Sequence, residues 1–427
     1  MNPQAKKRRL EDPADFLPAS TSFEKMMKDK TFFADKSSLI PFIEEDRNVI
    51  FCRPSRFGKS LILQMLMAYF DKKTDDAKFT AVCLSHCFSY CYNSLWIGGK
   101  DGNEARKTNL QCKFIILPLD FSAFVLDAMN LDQFLVDFKK YIVQRVKACA
   151  SRYSLALGSA DSPAEALKSL KDAAGETQVY VFIDEYDTPF AKIVLGSALN
   201  MEQKETTLAR LRESYNSVIL SIKSAQFRLF MTGILDIAFS GLSGMSFSRT
   251  TFEPGWHTLS GFTEDDVKLL LQTVSERLPE DDPCRDLLSQ EQVVNNPQEQ
   301  NDKRTALERL RAAYNGYWFG RTHDDQPAKM YNADMVLYFV RFILSDGRFP
   351  ENSELIDPKA SISNKILKFA GSLPWLGASC CSSLRNLSPF ALQPCLLTWR
   401  TSWTFTSVHR TPRLVISFGS FSITMAP

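Results

Sequence analysis

Gly58, Lys59 and Ser60 stand in direct succession between a short apolar run, residues 49–52, and a long apolar stretch, "LILQMLMAYF". A glycine that admits close backbone approach, an ammonium and a hydroxyl, placed between a strand and a helix, form the set that holds a phosphate chain. Backbone N–H groups and the helix N-terminus face the anion, Lys59 reaches the β and γ phosphates, and the Ser60 hydroxyl takes a magnesium ion. The cradle expected on this pattern comprises Arg56, Phe57, Gly58, Lys59, Ser60 and Leu61. The pattern G-x-x-x-x-G-K-[ST] is incomplete, because Arg53, followed by Pro54, occupies the place of its first glycine. Proline disfavours the helical region for the residue before it, so Arg53 is expected to continue the strand. It then has no need of the positive φ that would demand glycine.

A phosphate site of this kind needs an acid at the end of a neighbouring strand. "VYVFIDEYD" supplies five apolar residues and then Asp184 and Glu185. Asp184 is expected to hold the metal with Ser60, and Glu185 to polarise the attacking water. Strands ending in solvated acids are common, so the pair gains its meaning from Gly58-Lys59-Ser60. "FRLFMTGI" ends a further apolar run on Thr232, placed either to sense the terminal phosphate or simply to cap its strand. Arg56, Arg228 and Arg249 are arginines near these segments that would suit phosphate charge, or else a plain surface.

These segments need a scaffold that brings strand ends together. Apolar runs at 49–52, 114–119, 179–183 and 227–231 alternate with amphipathic stretches, the pattern of an α/β fold with a parallel sheet flanked by helices. Leu131, Phe134, Leu135, Phe138, Ile142 and Val146 recur at helical spacing behind an Asn130–Gln133 capping box. Ser162-Pro163-Ala164-Glu165 marks another helix start. Residues 91–111 read as an exposed insertion. We expect a charged tail over 1–20, a P-loop domain over 21–257, and a smaller, mainly helical domain over 258–370, which opens on a Thr263–Asp266 capping box. That second domain is expected to act as a lid that reports the state of the site. The aromatics of "YNGYWFG" are expected to pack a core or a domain interface.

Residues 371–427 differ from all of this. They hold no Asp, Glu or Lys, four Arg, and three of the chain's six Trp. Charge-free apolar sequence without periodicity suits neither a soluble surface nor a linker. A shifted reading frame, a retained intron or a faulty gene model would give such a tail, so it is not expected to be a native domain.

The whole chain has a net charge of +2 and 44% hydrophobic residues. That balance gives no reason to expect nucleic acid or a membrane surface. No secretory leader or long apolar span is evident, so an intracellular location is expected, cytoplasmic or nuclear. Lys6-Lys7-Arg8-Arg9 would serve as a nuclear signal or as a solvated tail. Cys83, His86, Cys87 and Cys91 are formally four zinc ligands, but four within nine residues is tight, and three cysteines at helical spacing more simply pack on one face. Four dispersed histidines offer no histidine-based catalytic centre.

Taken together the motifs resemble the AAA-ATPase-like family, whose loop typically reads R-P-R-R-F-G-K-S, so Arg53 and Pro54 are ordinary there. The family's upstream Y-V-D-K-T is similar to "FADKS", residues 33–37, and its I-D-E-Y-D-x-P to "IDEYDTP", residues 183–189. Its T-G corresponds to Thr232-Gly233, its G-F-T-x-x-[DE]-V to residues 261–267, and its Y-N-G-Y and Y-N to residues 314–317 and 331–332. The resemblance runs over about residues 20–370. It implies a P-loop ATPase fold, ATP and Mg²⁺ as cofactors, and hydrolysis that drives a switch read by a protein partner or by further copies of the chain. A module that holds nucleotide without turnover is the alternative. Many members continue into a PD-(D/E)XK nuclease-like domain, but no such pattern follows Ile356, so a shortened relative of an ATPase–nuclease fusion is the second alternative. The asparagines common after the T-G strand are missing from "SGLSGMSFSRT".

Overall fold

The computed structural model describes residues 16–18, 22–74, 95–98, 108–122, 131–195, 200–234, 247–253, 255–289, 304–319, 329–355, 414–418 and 421–425. The basic Lys6–Arg9 run, the Cys83/His86/Cys87/Cys91 cluster, Asn130, most of "SGLSGMSFSRT" and most of residues 371–427 lie outside them. The chain divides into two units, 1–260 and 261–427.

The first unit is built on a parallel sheet of β1 (Asn48–Cys52), β2 (Ile115–Asp120), β3 (Val179–Asp184), β4 (Arg228–Gly233) and the two-residue β5 (Ser248–Arg249). Its order is β2-β3-β4-β1-β5, and every pairing is parallel. The four longer strands match the apolar runs to within two residues. β5 carries no apolar run to announce it. Strand β4 therefore lies between β1, which leads into the Gly58 loop, and β3, which ends on the acids.

Alternation along the strands sends side chains to two faces, and both are covered. One face presents Ile50, Leu117, Val181, Ile183, Leu229 and Met231 to helices α4 (Leu131–Arg152), α5 (Pro163–Ala174) and α7 (Met201–Ser224). The other presents Val49, Phe51, Ile116, Phe182 and Phe230 to α1 (Phe23–Lys28), α2 (Ile40–Glu45) and α3 (Lys59–Phe70), with Trp256 and Leu259. Burial of each such side chain stabilises the fold by roughly 1.5–3 kcal/mol, and burial on both faces is why the strands read as continuous apolar runs.

Local signals placed the helices. Ser162 and Glu165 close a reciprocal capping box on α5. The long helix α7 starts on an equivalent Asn200–Gln203 box. A short helix α6 (Thr188–Leu195) follows the acidic turn after β3. Gln64, the one polar break inside the apolar α3, accepts the N–H of Phe23 at 2.8 Å. It thereby satisfies a donor that the start of α1 would otherwise leave without a helical partner.

The second unit contains α8 (Glu264–Arg277), α9 (Pro283–Leu288), α10 (Ala306–Tyr314) and α11 (Ala333–Asp346). A short antiparallel pair, β6 (Asn315–Tyr317) with β7 (Met330–Tyr331), joins them. Thr263 and Asp266 form the expected capping box on α8. Tyr314, Tyr317 and Phe319, from the aromatic motif, are buried in this unit. Leu414–Phe418 and Phe421–Met425 pair as an antiparallel hairpin.

Candidate functional site

The C-terminal ends of β1, β3 and β4 meet, and open parallel sheets bind ligands at that edge. The loop after β1 runs through Arg53 to Gly58 and enters α3. Gly58 takes the N-cap position with φ 84° and provides no side-chain cap. A Cβ built there would find nothing within 4 Å. The first turn of α3 thus receives no cap from a side chain at its N-cap, and the space beside Gly58 Cα is open, as close approach of an anion requires. Arg56 also adopts a positive φ, 65°. Left-handed geometry in this loop falls on Arg56 and Gly58, while Arg53 stays out of that region, as the Pro54 argument expects.

Lys59 is buried, and its Nζ donates to the carbonyl oxygens of Arg53 and Pro54, both at 3.0 Å. Burial pushes its pKa below the usual lysine range, and Asp187, Asp184 and Glu185 together oppose that shift. Two of the three ammonium hydrogens are held by the loop itself, which orients the third. Ser60 and Leu61 are half-buried in the first turn of α3, Phe57 is buried beneath the loop, and Arg56 is exposed.

β4 joins this loop to the acids. The Gly233 carbonyl accepts the N–H of Arg53 at 3.0 Å, and the Thr232 carbonyl accepts the N–H of Tyr186 at 3.0 Å. The Thr232 side chain is fully buried, and its hydroxyl donates to Asp184 Oδ1 at 2.6 Å. The N–H of Glu185 donates to the same oxygen at 3.0 Å. Asp184 is thus fixed through one oxygen while Oδ2 is left for other work. Glu185 sits at φ 51°, an uncommon conformation for glutamate. Its Oε2 accepts the Thr188 hydroxyl at 2.8 Å, and its carbonyl accepts the Thr188 N–H at 3.0 Å. Asp187 is buried and accepts the N–H of Ile234 at 3.0 Å. Gly233 has to be glycine, since a Cβ there would lie 2.5 Å from Asp187 Oδ1 and 2.6 Å from the Tyr186 ring.

The structure separates the arginines. Arg228 begins β4 and therefore lies at the opposite end of the sheet from the loop, where its guanidinium donates to the carbonyls of Glu44 (2.6 Å) and Asp46 (2.8 Å). It is not available to phosphate held at the C-terminal edge. One carboxylate escaped the sequence reading: Asp120 ends β2 directly beside Asp184 in register. Its signal was an apolar run ending in Asp, the same signal that marked Asp184. Two surface clefts lie elsewhere, a groove of about 1030 Å³ between α5 and α7 and a recess of about 250 Å³ around Arg47 and Gln226.

Magnesium favours a few oxygen ligands and keeps waters and phosphate oxygens in its shell, rather than an all-protein cage. Among the described residues no group of three His, Cys, Asp or Glu side chains forms such a cage. The hydroxyl of Ser60 and the second oxygen of Asp184 are donors of the required type, so the residues fit this ion. Among the described residues no helix is long and apolar enough to cross a membrane.

Residues 19–243, more than half of the chain, match the AAA-ATPase-like family, described as "Predicted AAA-ATPase". The chain belongs to this family. Its α/β architecture and the strand–loop–helix at Gly58 agree with that membership, and the family suggests nucleotide binding in general terms. No curated protein and no solved structure matches the chain.

Proposed function

We propose that this protein binds ATP at the Gly58 loop and hydrolyses it with Mg²⁺, and that the change of nucleotide state serves as a switch. The observation that supports this best is the double anchorage of β4. Its last two carbonyls tie the loop of Lys59 to the turn of Asp184 and Glu185, while its Thr232 hydroxyl orients Asp184.

In this reading the backbone N–H groups from Arg56 to Leu61 receive the phosphate oxygens, and Lys59 spans the β and γ phosphates with its third N–H. Ser60 and Asp184 hold the metal. Magnesium, when bound, neutralises charge that develops on the phosphate oxygens. Glu185 accepts the proton of the attacking water, and Thr188 holds one oxygen of that carboxylate so that the other faces the water. Thr232 acts through Asp184 and does not itself touch nucleotide.

Two variants test the assignment. Lys59→Ala is expected to abolish ATP binding in equilibrium titration. Glu185→Gln is expected to keep ATP affinity while turnover falls by about 10²- to 10⁴-fold, the usual share of a general base. Turnover that survives Glu185→Gln would reject Glu185 as the base. A wild type that binds ATP without releasing phosphate would leave a nucleotide-holding module in place of an ATPase.

A further inference from the structure

The loop departs from the common phosphate-binding pattern at a single residue, and that residue is among the largest fully buried side chains in the molecule. Arg53 is 1% exposed. Its guanidinium donates to the carbonyl oxygens of Cys52 (2.8 Å), Thr251 (2.8 Å) and Trp256 (3.0 Å). The guanidinium carbon lies 4.3 Å from the centre of the Phe51 ring. Its backbone is engaged as well: the N–H donates to Gly233 and the carbonyl accepts Lys59 Nζ, each at 3.0 Å.

Taking a guanidinium out of water is costly, and an apolar side chain would fill the same space without that cost. What an apolar side chain cannot do is bridge three carbonyls on two segments about 200 residues apart in sequence. A planar fork of five donors on separate nitrogens can reach them, whereas a lysine gathers its three donors on one nitrogen and lacks that spread. The common pattern uses glycine at this position for backbone freedom. Here the same stretch of backbone is pinned from outside.

We infer that Arg53 is the positioning residue of the phosphate loop: its side chain clamps Thr251 and Trp256 onto the end of β1, and its carbonyl, fixed in this way, holds the Lys59 ammonium in place. The inference rests on the reading of the loop as an ATP site. It also explains why Arg53 and Lys59, six residues apart, share one short hydrogen-bonded path: Arg53 receives Lys59 through its carbonyl and anchors itself through its guanidinium.

The test compares Arg53→Gly, which restores the common pattern on paper, with the milder Arg53→Lys, which keeps charge and stem. ATP with Mg²⁺ is titrated at a temperature well below the melting midpoint of each protein. Both variants are expected to weaken ATP binding at least about tenfold, with kcat falling alongside, since hydrogen bonds to a buried charged group are lost and Lys59 loses its seat. A purely structural role lowers the melting midpoint and the fraction of protein that binds, but leaves the dissociation constant of the folded fraction untouched. An unchanged dissociation constant in Arg53→Lys, or equal or tighter binding in Arg53→Gly, overturns the inference. If Arg53→Gly precipitates, Arg53→Lys carries the test alone. A wild type that binds no ATP takes both readings down, whereas wild-type binding with unaffected Arg53 variants removes only this one.

Discussion

At the N-terminal end of the sheet Arg228 donates to the carbonyls of Glu44 and Asp46 and lies over the rings of Phe114 and Tyr180. At the C-terminal end Lys59, Asp184 and Glu185 bond mainly to the loops that carry them, beside an uncapped helix N-terminus. Both ends hold buried or half-buried charge. The difference lies in what surrounds it. Around Arg228 the partners are backbone carbonyls and aromatic faces that nothing needs to displace. Around Gly58 the start of α3 has no side-chain cap; positive φ at Arg56, Gly58 and Glu185 does not by itself separate the two ends, since Gln226, two residues before Arg228, also adopts it. Charge alone does not mark a site; charge beside open donors at strand C-termini does.

The sharpest way to break this comparison is to add one carbon at the C-terminal end. Gly233→Ala forces a Cβ to within 2.5 Å of Asp187 Oδ1 and 2.6 Å of the Tyr186 ring, so the acidic turn has to shift. Overpacking of this sort costs about 1–3 kcal/mol. Because Gly233 also receives the N–H of Arg53, the shift reaches the loop, and ATP turnover is expected to drop more than about tenfold, since small misplacements of catalytic groups are amplified in rate. Melting curves together with steady-state hydrolysis check both effects; unimpaired turnover would mean that the β4 joint does not position the site.

The matching change at the other end is Arg228→Met, which keeps an unbranched stem and removes the donors. It is expected to lower stability by about 2 kcal/mol, within the range for hydrogen bonds to charged groups, and to leave the ATP dissociation constant as it was. Chemical denaturation and an ATP titration on the same variant decide the point. A weakened ATP affinity would show that the two ends are coupled and that the contrast drawn between them is too simple.

The parts of this fold that were legible in the sequence are those written locally. Apolar runs placed four of the five strands of the sheet, because a strand buried on both faces has few positions for polar residues. Ser162–Glu165 and Thr263–Asp266 announced their helices because a capping box closes within four residues. Gly58-Lys59-Ser60 and Asp184-Glu185 were visible because the chemistry they suggest sets residue type and spacing. What was not legible depends on contacts across the chain. The Arg53 guanidinium meets Thr251 and Trp256 about 200 residues away, and nothing in "RPSRFGKS" tells a buried clamp from a phosphate ligand. Thr232 reads from sequence as a sensor or a cap, and its hydroxyl bond to Asp184 is a contact across the chain that the sequence does not show; Arg228 looks near the site only because Thr232 follows it by four positions. In a strand, four residues are enough to span from one end of the sheet to the other.

A third region, outside the sheet, sets the lower bound of the comparison. In the second unit Arg348 forms a two-pronged pair with Glu354 at 2.7 Å for each bond, and the N–H of Glu351 donates to the same carboxylate at 2.9 Å. The Arg348 hydrogen bonds, followed by the Glu351 N–H, bring the Glu354 carboxyl down to about 2. A carboxyl whose folded pKa lies below its unfolded one stabilises the fold above the ordinary glutamate range and loses that contribution as the pH falls toward the folded value. The difference in melting midpoint between wild type and Glu354→Gln is therefore expected to be constant near neutral pH, to shrink below the ordinary glutamate range, and to vanish near pH 2. The pair is only partly buried and open to solvent, so the difference is expected to be small throughout, smaller than that of Arg228→Met at every pH above the glutamate range. A difference as large as that of Arg228→Met would mean that burial is not what separates the charges of the sheet from this pair in the second unit, whereas a difference independent of pH would remove the charge of Glu354 from the account.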